Sequence, residues 1–458
     1  MGTVAAETPR TLEEAISQAG GAVELLRSSA AGAHPFPGIP PEFTNWRDEQ
    51  RAWMESVALF EMSFHMTELR VWGPDVIAFI SELAVNRFDN FQITRAKQIV
   101  MVGPDGRFIS DGIVFREGDE AVRVVGPPTA SNWIQFNCET TGHRVECARN
   151  ENMIVPRDRR DLFRFQLQGP NALALVQEAS DGSLPEIEFF RIGEFQIAGK
   201  TVRALRHGMA GKPGFEIFGD WDDQFAVREA VEAIGTKFGL KKAGSTAFGT
   251  VSQESGWMPR PLPAIYDGTD MKGFRQWLPS LSFEAAGSLG GSFASDDIAD
   301  YYVDPVEIGY ENLIHYDHDF IGRDELRNRH DNQTRTKVTL VWDNDDVFAI
   351  LRDSLQPNSN RPKYIDLPIP VYASFQADAV EAGGQCVGIS QRISFSSNAG
   401  AILSQALVNL DRAKPSTKAD LVWGEPNSRR TTVELHELRS ISVTVAPVPY
   451  TRKSIAED

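Results

Sequence analysis

Hydrophobic and polar positions alternate between two rhythms along the chain. A helix is predicted from Thr44 as N-cap, with Trp46, Trp53, Val57 and Phe60 falling on one face at helical spacing. A strand over Glu68 to Gly73 follows, and then a helix from Pro74 to about Ala84, with proline at the favoured first position. Lys97–Val102 and Phe108–Arg116 alternate like paired strands around the turn Gly103-Pro-Asp-Gly106. Glu120–Gly126 reads as a further strand and Ser131–Cys138 as a helix.

The pattern then repeats. Val71-Trp-Gly-Pro74 followed by Val76, Ile77, Phe79 and Ile80 resembles Leu167-Gln-Gly-Pro170 followed by Leu173, Leu175 and Val176. Each copy is a strand running into a Gly-Pro turn and an amphipathic helix, and each continues into hairpins. The second continues through Gln196-Ile-Ala-Gly-Lys200 and Gly214–Gly219, and a helix over Trp221–Phe238 closes it. Copies roughly a hundred residues apart predict a duplicated βαβ-containing unit with a cleft between its halves. Residues 260–300, including Gly287-Ser-Leu-Gly-Gly-Ser292, read as loops. After Asn332 come short β-rich runs, Lys337–Val341, Leu403–Val408, Asp420–Val422 and Ser440–Val445, which predict a compact β-barrel. The fold class is therefore α+β. Its expected parts are an N-terminal segment (1–40), two halves of one body (41–155 and 156–330) and the barrel (331–458).

Composition narrows the function. The 458 residues are 41% hydrophobic, which suits two or three packed domains, and no run nears the roughly 18 apolar residues of a membrane span. Met1–Glu7 has no basic region leading into an apolar one, so no secretory signal is expected and the cytoplasm is the expected compartment. Three cysteines without CxxC spacing argue against disulfides, zinc ribbons and iron–sulfur clusters. A net charge of −17 disfavours nucleic acid as a partner. His315-Tyr-Asp-His-Asp319 has metal-ligand residue types, but one short loop does not converge its ligands on a point, so no metal is expected. There is no P-loop ending, GxSxG or GxGxxG in a strand-to-helix context.

Ordered motifs carry a resemblance across nearly the whole chain. Phe60-Glu-Met-Ser-Phe-His-Met66, Leu167-Gln-Gly-Pro170, Gly214-Phe-Glu-Ile217, Glu254-Ser-Gly-Trp-Met-Pro259, Pro305-Val-Glu-Ile-Gly309 and Asp319-Phe-Ile-Gly-Arg323 resemble the aminomethyltransferase family of the glycine-cleavage T-protein. Within it, Phe43-Thr-Asn-Trp-Arg47, Leu205–Gly211, Leu262-Pro-Ala-Ile-Tyr266 and Gly290-Gly-Ser-Phe293 look most like the tetrahydrofolate-dependent aryl-ether O-demethylases, of syringate type. The resemblance implies a T-protein-like fold, tetrahydrofolate as methyl acceptor and an aromatic methoxy acid as donor. Glu216 is then the residue that holds the pterin, with Trp257, Gln98 and Gln166 as further cofactor contacts. This chain has Phe248 where vanillate-type relatives have tyrosine, and Pro127 near their substrate arginine.

Attack on an aryl methyl ether needs in-line approach and a proton or hydrogen bond for the departing oxygen. Phe248 cannot supply it, which leaves His65 as the candidate; the competing reading is a buried structural histidine. Phe248 would form an apolar wall, and Asp111, His34 and Phe36 are further candidates at the substrate. Arg206 and His207 could steer a carboxylate or the folate tail. The rival functions are an aminomethyl, sarcosine-type or sulfonium demethylase on the same fold, and a folate-binding protein without methyl transfer. The iron–sulfur-linked proteins of that last kind carry a cysteine in the segment that here reads His318–Arg323.

Overall fold

The computed structural model describes residues 9–32, 38–151, 160–209, 211–357, 360–426 and 428–450. Two antiparallel-dominated sheets form the body. A five-stranded sheet contains Thr67–Trp72, Ala96–Val102, Phe108–Gly118, Ala121–Gly126 and Glu146–Asn150. A six-stranded sheet contains Leu162–Gln168, Ile192–Ile197, Lys200–Arg206, Gly214–Asp220, Leu240–Ala243 and Val57–Glu61. The last of these comes from the earlier part of the chain and lies between Leu240–Ala243 and Leu162–Gln168, so it stitches the two units together.

The repeat is visible in backbone geometry. Thr67–Trp72 leads through Gly73 at φ 137° into the helix Val76–Leu83, and Leu162–Gln168 leads through Gly169 at φ 135° into Ala172–Ala179. A Cβ at Gly73 would stand 2.2 Å from the Arg144 carbonyl oxygen, and one at Gly169 would stand 2.5 Å from that of Ser56. Both turns thus need glycine for conformation and for close approach. The prolines lie before the helices, whose N-caps are Asp75 and Asn171, so Pro74 is not the first helical residue.

Other expectations shift. The first helix of the body is Trp46–Glu55, capped by Asn45 through the Asp48 amide, and Thr44 instead donates its hydroxyl to Glu49. Val57 and Phe60 belong to the strand Val57–Glu61, not to that helix. The chain breaks at Ser56, and the strand is buried on both faces, which leaves an apolar run without a clear period. Within 260–300 are the helices Lys272–Trp277 and Phe283–Ala286, and Leu289–Gly290 pairs in parallel with Phe375–Gln376.

The C-terminal part closes into a six-stranded barrel of Arg335–Trp342, Asp378–Ala382, Gln385–Ser396, Ala401–Asn409, Lys418–Trp423 and Arg439–Ala446. Trp342, Trp423, Leu340 and Ile402 fill its core, and the helix Asn344–Ser354 packs on it. Gln391 is an extra residue between the pairs Ser390↔Ala406 and Arg392↔Gln405, a β-bulge that re-aims the strand. The barrel also grips the body. Gln405 donates to the Ser252 and Trp257 carbonyls (2.8 and 2.9 Å), while Glu254 accepts from Trp53 (2.6 Å) and Ser396 (2.7 Å). No helix among the described residues is long and apolar enough to cross a membrane.

Candidate active site

His65 lies in the turn between Val57–Glu61 and Thr67–Trp72. Arg160 donates to the Ser63 carbonyl (2.8 Å), and the Ser63 hydroxyl accepts from the Arg164 amide (2.9 Å), which pins the turn. Phe248 ends the short helix Ser245–Phe248, which is held from below by buried Glu49. That carboxylate accepts from the amides of Phe43, Thr44 and Gly244 at 2.7–2.8 Å. The two rings meet edge to face at 4.9 Å, and Phe248 also meets Phe60 (5.6 Å), which in turn meets Trp53 (5.7 Å). His65 and Phe248 line one cavity with Met66, Met209, Trp257 and Pro127. Its walls are mostly apolar, which suits a flat aromatic ring.

Burial, and after it the nearby Arg260 charge, lowers His65 to about 4, against an upward pull from Glu216. At neutral pH the imidazole is therefore uncharged and offers an N–H hydrogen bond, not an imidazolium proton.

Gln98, Asp111 and Trp257 come together behind this cavity, joined by Tyr310. One Asp111 oxygen, Oδ2, accepts from Tyr310 Oη (2.5 Å), Gln98 Nε2 (2.8 Å) and Trp257 Nε1 (3.0 Å). Burial raises the Asp111 carboxyl, and those three donors oppose the rise. Lys337 is drawn down to about 8 by burial, with Asp111 acting against the shift, and it donates to the Gly256 carbonyl.

Glu216 and Gln166 face each other as register partners of adjacent strands. Glu216 accepts from Arg164 Nη1 at 2.7 Å and lies 3.3 Å from His207 Nε2. Burial alone would raise its carboxyl, but the His207 hydrogen bond and the Arg164 charge win and hold it at about 2. Arg164 also donates to Glu68 (2.7 Å), and Glu68 pairs with Arg123 (2.8 Å), so the carboxylate ends a buried ion chain. Gln166 Oε1 is buried without a hydrogen-bond partner among the described residues. Each Glu216 oxygen keeps a second lone pair. The pair is thus a buried acceptor wall, and it fits the donor-rich edge of a reduced pterin.

Sequence reasoning missed Tyr310, Arg164, Arg260 and Arg392. For Arg164 the signal was an arginine between Phe163 and Phe165 in an otherwise apolar strand. His34 and Phe36 lie outside the described residues. Arg206 donates to the Ile187 carbonyl (2.7 Å), away from Glu216, whereas His207 reaches it. The His315–Asp319 run is dispersed among other tasks: Asp317 binds Arg87, Asp319 binds Arg323, and the His318 ring meets the Ala84 carbonyl. No group of three or more metal-ligating side chains converges among the described residues.

Residues 21–259 match the GCVT N-terminal domain family. The chain belongs to that family. This GCVT protein is 40% identical over 444 residues to a syringate O-demethylase of Sphingobium sp., covering 96% of each chain. It is 27% identical to a sesamin methylene transferase of Sinomonas sp., covering 96% of this chain and 94% of the other. Its fold is that of the glycine cleavage system aminomethyltransferase T of Bartonella henselae, with a TM-score of 0.60 at 16% identity over 94% of this chain and 96% of that one.

Proposed function

We propose that this GCVT protein is an O-demethylase that transfers the methyl of an aromatic methoxy acid, of syringate type, to tetrahydrofolate, and works in the cytoplasm in the breakdown of lignin-derived aromatics. The observation that carries the reading is an apolar cavity bounded by His65 and Phe248, close enough to Glu216 for its charge to act on His65. The near full-length likeness to a syringate O-demethylase supports it.

Glu216 and Gln166 would hold the pterin by accepting from its amino and ring N–H groups, and Trp257 would pack beside it. Tetrahydrofolate supplies N5 as the nucleophile that takes the methyl group. Phe248 and the methionines orient the ring and exclude water, so that the methoxy carbon is presented in line. His65 would give an N–H hydrogen bond to the ether oxygen as the C–O bond breaks and that oxygen keeps the electron pair, and the proton lost from N5 on methylation balances the phenol formed. Asp111, fixed by Gln98, Trp257 and Tyr310, holds Trp257 in place.

The test is anaerobic incubation with tetrahydrofolate and, separately, syringate, vanillate, sarcosine and dimethylsulfoniopropionate, with products weighed by mass spectrometry. Syringate should give 5-methyltetrahydrofolate and 3-O-methylgallate. Methyl transfer from sarcosine or the sulfonium alone would replace the donor class. No 5-methyltetrahydrofolate from any donor would reduce the protein to a folate binder.

A further inference from the structure

Two arginines in the cavity wall have no counter-ion among the described residues. Arg260 follows the Trp257–Pro259 segment, and Arg392 comes from the barrel strand Gln385–Ser396, directly after the bulge at Gln391. Neither makes a hydrogen bond or ion pair with any described residue, and Arg392 Nε is buried without a partner. Other arginines in the interior are matched: Arg164 by Glu68 and Glu216, Arg335 by Glu307, and Arg430 by Glu425.

The arrangement is also costly. Burial lowers Arg260 to about 9, with the Arg392 charge adding to the fall, and burial lowers Arg392 to about 10. Arg260 holds φ 52°, a left-handed conformation that a non-glycine residue rarely adopts. Strain, desolvation and like-charge repulsion converge on one spot, and all but the strain are relieved by one anion between the guanidinium groups. The remaining cavity wall, from Phe248, Met66, Met209 and Pro127, accepts an apolar ring. The complementary ligand is flat and apolar with an anionic end.

We propose that Arg260 and Arg392 form a carboxylate clamp that selects aromatic acids as methyl donors. This rests on the O-demethylase reading and adds the recognition element to it. Two guanidinium forks can each give parallel N–H bonds to a carboxylate, a geometry that a neutral ester or aldehyde cannot satisfy. Folate also carries carboxylates, on its glutamyl tail. Both arginines also line an adjoining recess with Tyr301 and Gln376, and it is their share in the wall with Phe248 that points the clamp at the donor.

Calorimetry without folate separates these sources and does not depend on turnover. The wild type should bind syringate about 10-fold more tightly than its methyl ester, since both arginines are partly exposed and a half-buried charge left unpaired costs less than a fully buried one. Arg392→Met should bring the acid down to the level of the ester and leave the ester unchanged, and Arg392→Lys should recover part of the preference. Tetrahydrofolate with one or three glutamates should bind both variants as it binds the wild type. Equal binding of acid and ester by the wild type overturns the proposal. So does a variant that loses affinity for polyglutamyl folate and keeps its preference for the acid. Should Arg392→Met fail to fold, Arg260→Lys and Arg392→Lys decide, since their acid-to-ester ratio must fall. A preserved clamp in a protein that demethylates no methoxyarene would refute the O-demethylase reading and leave the clamp standing.

Discussion

Replacing Arg164 with methionine tests the electrostatic frame of the site. In the native protein Arg164 sits between Glu68 and Glu216 at 2.7 Å from each, essentially without solvent. Glu216 is held at about 2 against an ordinary 4.5. The His207 hydrogen bond, which the variant keeps, carries part of that shift, so the size of the effect is taken from the ~3–5 kcal/mol lost when one member of a buried pair is removed. Because the folded value is depressed, this stabilisation is complete above about 4.5 and is lost as pH falls toward 2. In Arg164→Met, burial is no longer opposed by that charge, so the variant takes up protons at higher pH than the wild type. Urea unfolding followed by tryptophan fluorescence should therefore show a deficit of about 3 kcal/mol at pH 7 that narrows toward pH 4.5. The double variant Arg164→Met with Glu216→Gln should regain part of the loss, because the stranded carboxylate is gone. A deficit that is constant or widens on acidification would refute the reasoning.

Three further outcomes follow from the geometry. His65→Gln should keep tetrahydrofolate affinity and lower turnover by about 100-fold, read from steady-state rates beside equilibrium binding; unchanged turnover would return His65 to a structural role. Gly169→Ala should cost at least ~2 kcal/mol in thermal or urea unfolding, since it meets both positive φ and a carbonyl at 2.5 Å, whereas Gly182→Ala, at φ 79° with open space, should cost only about 1 kcal/mol. Cys386 alone should react promptly with a thiol reagent at pH 8, because it is exposed while burial and neighbouring Cys138 push Cys147 up to about 12; rapid modification of two or three thiols in the native protein would contradict this.

What the sequence disclosed was local. The Gly-Pro turns, the hairpins and four strands of the barrel announce themselves through short-range turn chemistry and period-two alternation, whereas Asp378–Ala382 and Gln385–Ser396 were not named. The helix Asn344–Ser354 went unread among β-rich runs, and the pairing of Leu289–Gly290 with Phe375–Gln376 spans too much chain for any local signal. The same divide runs through the site. His65, Glu216 and Trp257 were named through motifs, but their company was not. Tyr310 stacks on Phe108 and reaches Asp111 from far along the chain, and Arg392 lies on Gln385–Ser396, a strand not among those named from the sequence. An arginine on a strand normally points to water, and only tertiary structure turns it inward.

The seat of Arg392 beside the bulge at Gln391 carries a consequence for inheritance. Arg392 stays paired with Gln405 across the bulge, so its face is set by the partner strand, and a substitution at Arg392 itself would change the guanidinium while leaving the barrel closed. The acceptor wall, built on Leu162–Gln168 and Gly214–Asp220, would not notice. One part of the choice of methyl donor is thus written in the barrel, apart from the strands of the acceptor wall, and a lineage can alter it with a single codon there while keeping that wall intact.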